Sequence, residues 1–222
     1  MKKLIIVGDC AFAEVAYEYF TYDSDYEVIA FAVEEAHIKK NSLFGLPVIK
    51  LEDIEKLYSP TEFHVFVALT YGKMNRNRTR LLDYVIGKGY EPASYISSKA
   101  FVWRNVKLGY NSFVFENNVV QPFVEIGNNT ILWSGNHIGH HSKIGDNVFI
   151  SSHVVISGYV TVGNNFFFGV NSTLANNLKI DNDVWIGPNS LVTKDVPEGA
   201  LIKSNSDLPN NISTFKFFKV KF

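Results

Sequence analysis

Four of the six histidines in this 222-residue chain lie at positions 137, 140, 141 and 153. An imidazole changes protonation near neutral pH, so it can take a proton from an amine or a hydroxyl, or it can ligate a metal. Histidines in exposed turns can also do neither. Glycines sit close by at 135, 139, 145 and 158, which leaves space beside the rings. The only cysteine is Cys10, remote in sequence from this cluster, and no Ser–His–Asp order stands out. Proton acceptance by a histidine therefore fits the residues better than a covalent nucleophile.

The element that carries these histidines is a repeat. Stepping by six from Ile96 through Ile138, Ile144 and Ile156 to Val192 meets seventeen apolar residues without a break. Glycine follows directly at 109, 127, 139, 145, 163, 169 and 187. A period of six is neither helical nor that of a plain strand. It is the hexapeptide repeat of a parallel β-helix. Three hexads close one coil of 18 residues, and successive coils stack at about 4.8 Å. The apolar residue points into the prism. On this count Gly158 stacks over His140, and His153 over Gly135. Such a solenoid has exposed faces and two ends to protect, and three prisms around a threefold axis would cover part of that surface. The expectation is a left-handed parallel β-helix over 96–203 that assembles as a homotrimer. The tail 204–222 reads as a cap on the last coil.

Residues 1–95 follow other periods. Strands are expected at Lys3–Val7, Glu27–Val33 and Phe63–Leu69, and helices at Ala11–Phe20, Leu51–Tyr58 and Arg76–Gly87. That alternation predicts an α/β domain with a small parallel, Rossmann-like sheet. Ligands on such sheets sit beyond the carboxyl ends of the strands. The residues there are Gly8, Asp9, Cys10, Ala11 and Phe12 after the first strand, Glu34 and Glu35 after the second, and Thr70, Tyr71 and Lys73 after the third. A single glycine in the first turn argues against a dinucleotide fingerprint. Free N–H groups at the start of the first helix remain suited to a phosphate or hydroxyl.

The formal net charge is −1, so no basic field gathers nucleic acid or an anionic membrane. Lys2 and Lys3 with Leu4–Val7 are too short for a secretory signal, and no stretch reaches the ~18 apolar residues that span a bilayer. With one cysteine no disulfide forms within the chain, which fits a reducing compartment. A soluble, cytoplasmic protein is expected.

The α/β opening at Val7-Gly8, the hexads, and the closing segment Ile186-Gly187-Pro188-Asn189-Ser190-Leu191-Val192-Thr193-Lys194-Asp195-Val196-Pro197 together resemble the sugar O-/N-acyltransferases. That family includes sialic-acid O-acetyltransferases and the N-acetyltransferases of bacillosamine and perosamine pathways. The resemblance implies a nucleotide-linked sugar on the N-terminal domain and acetyl-CoA in a groove between neighbouring prisms. It also implies a histidine base on a β-helix turn. His140, within Gly139-His140-His141-Ser142-Lys143-Ile144-Gly145, takes the base position, and His141 replaces the acid that usually follows it. Glu116 and Glu125 are candidates to orient His140. Phe149, Gly158, Val170, Gly187 and Pro188 would line the coenzyme path, with Lys194 near a phosphate.

The implied activity is acetyl-CoA-dependent N-acetylation of a nucleotide-linked amino sugar for surface-glycan or O-antigen assembly. O-acetylation of a sugar is the near alternative. A metal-dependent hydratase of the γ-carbonic-anhydrase type and a non-catalytic scaffold are the readings from other classes. No metal is expected: the hydratase type pairs histidines five residues apart, and the residue five after His137 is Ser142.

Overall fold

A computed structural model of the chain describes residues 1–204. The tail reading for 204–222 thus lies, beyond Ser204, outside the described residues. The N-terminal domain runs β1 (Lys2–Val7), α1 (Ala11–Tyr22), β2 (Tyr26–Val33), β3 (Ser42–Leu43), β4 (Leu46–Lys50), α2 (Ile54–Leu57), β5 (Phe63–Val67), α3 (Arg76–Gly87) and β6 (Glu91–Pro92). The sheet order is β3-β4-β2-β1-β5-β6. All pairings are parallel except the β3–β4 hairpin. That hairpin is absent from the sequence reading. Its turn is Phe44-Gly45, both at positive φ, and Pro47 interrupts the strand pattern.

From Tyr95 onward the chain coils into a three-faced prism of two-residue strands, the left-handed β-helix expected from the hexads. Face I has seven strands, from Tyr95–Ile96 to Leu201–Ile202. Face II has six, from Phe101–Val102 to Leu191–Val192. Face III has five, from Lys107–Leu108 to Lys179–Ile180. Every pairing joins residues 18 apart until the last coil, for example His137 with Val155. The predicted inward residues are buried from Val114 onward. Ile96 is 44% exposed because it begins the first coil, with no coil beneath it.

A second inward series lies four residues after the first. It includes Val124, Asn136, Ser142, Val154 and Phe166, all buried. The polar members are satisfied by the next coil. Val154 N donates to Asn136 Oδ1 at 2.7 Å, and Ser142 Oγ accepts from Val160 N while donating to Ser157 O.

The three faces differ outside. Face I presents Phe113, Ile131, Phe149, Phe167 and Trp185, which pack with Phe12, Phe20 and Phe66 into one core shared by both domains. Face III presents Lys107, Glu125, Lys143, Thr161 and Lys179. Face II presents Phe101, Val119, His137, Val155, Thr173 and Leu191, with Phe101, Val155 and Leu191 exposed.

Arg78 fastens the two domains together. Its guanidinium is fully buried and donates to Leu69 O, Thr70 O, Asn129 Oδ1, Asn129 O and Val148 O. Burial pulls its pKa down to about 9, so it remains a cation at neutral pH. Asn75 adds a bond from Nδ2 to Phe166 O at 2.9 Å.

Candidate functional site

The corner between faces II and III carries the histidine pair. His140 follows the Ile138 strand by two residues, and its backbone N–H donates to Gln121 Oε1 at 2.9 Å. Its ring lies over Gly158 on the next coil: a Cβ there would stand 2.9 Å from Cε1 and 3.0 Å from Nε2. The stacking expected from the count of 18 is thus present. His140 Nδ1 and His141 Nδ1 are 3.1 Å apart. Both residues are exposed, and His140 Nε2 has no hydrogen-bond partner among the described residues.

His141 stands in the left-handed region, at φ 61°. So do the residues 18 before and 18 after it, Phe123 at 65° and Tyr159 at 58°. Left-handed backbone costs a residue with a Cβ roughly 1–2 kcal/mol. His141 is sandwiched between these rings, with centroids 4.6 Å from Phe123 and 4.8 Å from Tyr159. His140 stands edge-on to Tyr159 at 5.2 Å and to His141 at 5.3 Å. Phe123, Tyr159 and Gln121 were not singled out in the sequence. Their signal was the step of 18 from His141 and from Gly139.

Neither acid expected beside His140 is there. Glu116 accepts from Tyr19 Oη at 2.7 Å, and Glu125 pairs with Lys107 at 3.2 Å. Glu116 is engaged by a phenol of the N-terminal domain and Glu125 by a cation on its own face.

The residues assigned to a coenzyme path divide by position. Gly158 and Lys194 lie in the column of His140, 18 and 54 residues on, at the II/III corner. Val170, 43% exposed, and Pro188 lie in a second column at the I/II corner. Phe149 belongs to neither. It is 3% exposed on face I, against Tyr71 and Phe167, because the N-terminal domain covers that face. Gly187 is also buried, with Ser204 N 2.8 Å from where its Cβ would stand. Coil stacking alone requires glycine there.

In the N-terminal domain, Gly8, Asp9, Cys10 and Glu34 line one cleft with His37, Leu69 and Leu81. Gly8 has φ 120°, and a Cβ would meet Ala68 O at 3.1 Å, so glycine is needed where the strand turns into α1. Cys10 is the helix N-cap without a side-chain cap bond, and exposed Ala11 begins the first turn with N–H groups free of helical partners. Lys39 and Lys40, missed in the sequence, stand with His37 beside Asp9 and Cys10. Their signal was a dibasic pair just after the second strand.

Several expected substrate residues are engaged elsewhere. Phe12 is 2% exposed in the interdomain core. Tyr71 packs on Phe149, Phe167 and Trp185, and the Thr70 carbonyl accepts from Arg78. Glu34 is held by both Arg80 nitrogens at 2.8 Å, and that bond lowers its pKa from the ordinary carboxylate value. Glu35 faces Lys50 in solvent. Lys73 is exposed, with φ 51°.

Among the described residues no group of three His, Cys, Asp or Glu side chains gathers as a metal site, and no helix is long and apolar enough to cross a membrane.

Residues 123–158 match the family model described as bacterial transferase hexapeptide (six repeats). No curated protein matches the sequence. Among solved structures, the acetyltransferase domain of PglB from Neisseria gonorrhoeae FA1090 is 22% identical, with TM-score 0.82 over 95% of this chain and 100% of that one. PerB from Caulobacter crescentus, solved with CoA and GDP-perosamine, is also 22% identical, with TM-score 0.82 over 92% and 95%. WeeI from Acinetobacter baumannii AYE is 17% identical, with TM-score 0.57 over 90% and 96%. Nearly end to end, the chain therefore has the fold of these proteins: a small α/β domain joined to a left-handed hexapeptide β-helix.

Proposed function

We propose that the chain is an acetyl-CoA-dependent N-acetyltransferase acting on a nucleotide-linked amino sugar, with His140 as general base. The observation that carries the reading is the His140 ring itself. It is exposed at a prism corner, lies over a glycine, is held at Nδ1 by His141, and leaves Nε2 free. The similar solved proteins, PerB with CoA and GDP-perosamine and the PglB domain with acetyl coenzyme A, suggest the substrate class.

In the proposed step the sugar amine attacks the thioester carbonyl carbon while its proton passes to His140 Nε2. The C–S bond of the tetrahedral intermediate then breaks, and the coenzyme thiolate takes the proton back from His140. General-base help of this kind is worth about 10² to 10⁴ in rate. The Gly158 N–H has no partner among the described residues and is suited to the developing oxyanion. Lys194, higher in the same column, offers a point charge to a coenzyme phosphate. On the N-terminal domain, the first turn of α1 with Lys39 suits the diphosphate of the sugar nucleotide, for which Lys40 would exchange its pairing with Glu14. Arg80 holds Glu34 at the cleft's rim, where a ribose or sugar hydroxyl would compete for the carboxylate.

The unit is proposed to be a homotrimer in the cytoplasm, where acetyl-CoA is found, serving surface-glycan assembly. Face I is covered and face III is charged, which leaves face II as the apolar surface for neighbouring prisms. Its two edges are the His140 column and the Val170–Pro188 column, so packing there would place both along one shared cleft.

A thiol-release assay with acetyl-CoA tests the reading against UDP-, GDP- and dTDP-linked amino sugars. Stimulated release with one of them supports it. Release no faster than background hydrolysis across the panel, with no heat of coenzyme A binding by calorimetry, would leave only a scaffold.

A further inference from the structure

We infer that Phe123 and Tyr159 are positioning residues that clamp His141 so that it fixes the tautomer of His140. The inference rests on the proton-accepting role proposed for His140. At the other two corners of the prism the left-handed residue is Asn, Asp or Gly on every coil but one: Asn111, Asn129, Asn147, Asn165 and Asp183 at one, and Asn117, Gly135, His153, Asn171 and Asn189 at the other. At the corner of His140 three successive coils instead carry Phe123, His141 and Tyr159, and only then Asn177. Phe123 is 56% exposed and Tyr159 53% exposed, so neither ring is there to be buried. Strained backbone that contributes nothing to the core points to function.

What the rings do is geometric. Two Nδ1 atoms 3.1 Å apart are joined only when one carries a proton and the other a lone pair. For His140 to accept at Nε2, its proton must sit on Nδ1 and be donated to His141 Nδ1. His141 then carries its own proton on Nε2. A half-turn of the His141 ring would put a carbon in place of that acceptor and free His140 to adopt either tautomer. Such a turn sweeps the ring out of its plane. Phe123 and Tyr159 lie above and below that plane, at 27° and 13° to it, and block the sweep. His141 thus fills the place of a carboxylate acceptor, and the two aromatics keep it aimed.

Asparagine is the residue that this backbone carries at the equivalent corners, so Tyr159→Asn and Phe123→Asn remove the clamp without disturbing the coil. Tyr159→Asn is expected to lower kcat about 10-fold or more, with KM and the thermal midpoint unchanged or the midpoint raised. Tyr159→Phe, which keeps the flat face, is expected to retain wild-type kcat. Histidine-ring ¹⁵N spectra give a readout that needs no substrate: His140 should appear as one Nδ1–H tautomer in the wild type and as a mixture in Tyr159→Asn. Mixed tautomers in the wild type, or an asparagine variant with an unchanged tautomer, would overturn the inference. If no sugar nucleotide is acetylated at all, the proposed function fails while the spectra still decide the clamp.

Discussion

Gly158→Ala would displace the His140 ring by an amount that the local distances set. The added methyl would stand 2.9 Å from His140 Cε1, 3.0 Å from Nε2 and 3.3 Å from Nδ1. Carbon contacts are comfortable at about 3.5–4.0 Å, so something must move by roughly 0.6–1 Å. Every one of those atoms belongs to the imidazole, an exposed side chain with solvent on its outer side. The ring therefore shifts outward and the coil stays as it is. A misplacement of about 1 Å in a reacting group costs on the order of 10² in rate. The expected result is a kcat reduced roughly 10- to 100-fold, or about 1.4–2.7 kcal/mol, with an unchanged thermal midpoint. Gly139→Ala is the contrasting variant. Its methyl would meet Ser157 C at 2.5 Å and Gly158 N at 2.6 Å, both backbone, so it should destabilise the prism by about 1–3 kcal/mol. Steady-state acetyl transfer beside thermal unfolding separates the two effects. Wild-type kcat in Gly158→Ala would refute the placement of the reacting nitrogen over that glycine.

Arg78→Met should lower stability by more than about 3 kcal/mol in denaturant titrations, because it strands the buried Asn129 and Val148 carbonyls and cuts the bonds to Leu69 and Thr70 that tie the domains together; a loss below about 1 kcal/mol would mean those carbonyls find water. Tyr19 and Tyr90 are both pushed up to about 12, chiefly by burial. The folded chain then keeps phenol protons that the unfolded chain releases near pH 10, so stability present below about pH 10 should fall as pH rises toward 12. A denaturation midpoint that stays flat across that window would show the phenols to be open to solvent. Leu191 is 71% exposed in the single chain, so Leu191→Lys should leave the protomer folded and break the assembly if face II joins copies. Sedimentation equilibrium reads this directly, and an unchanged trimer would move the interface to another surface.

The prism was legible because every inward position of the first series is apolar, and 18-residue stacking follows from arithmetic alone. That arithmetic also placed Gly158 over His140. The second inward series escaped notice because Asn136 and Ser142 are polar, and only the next coil shows how their bonds are met. Arg78 reads in sequence as one charge among Arg76, Arg78 and Arg80, and nothing local distinguishes the buried one from its exposed neighbours. Phe149 and Tyr71 read as ligand contacts because their partners on the other domain cannot be paired from one chain's pattern. The acids chosen to orient His140 failed for a similar reason. Distance along the coil was readable, but the pull of Tyr19 on Glu116 came from a different domain.

The proposed proton transfer depends on one nitrogen, His140 Nε2. Single-turnover transfer by His140→Ala, measured with acetyl-CoA and the sugar nucleotide that wild type accepts, should be at least about 10² slower, with assembly and coenzyme A binding retained. Transfer at the wild-type rate by that variant would contradict it and give the proton to another group.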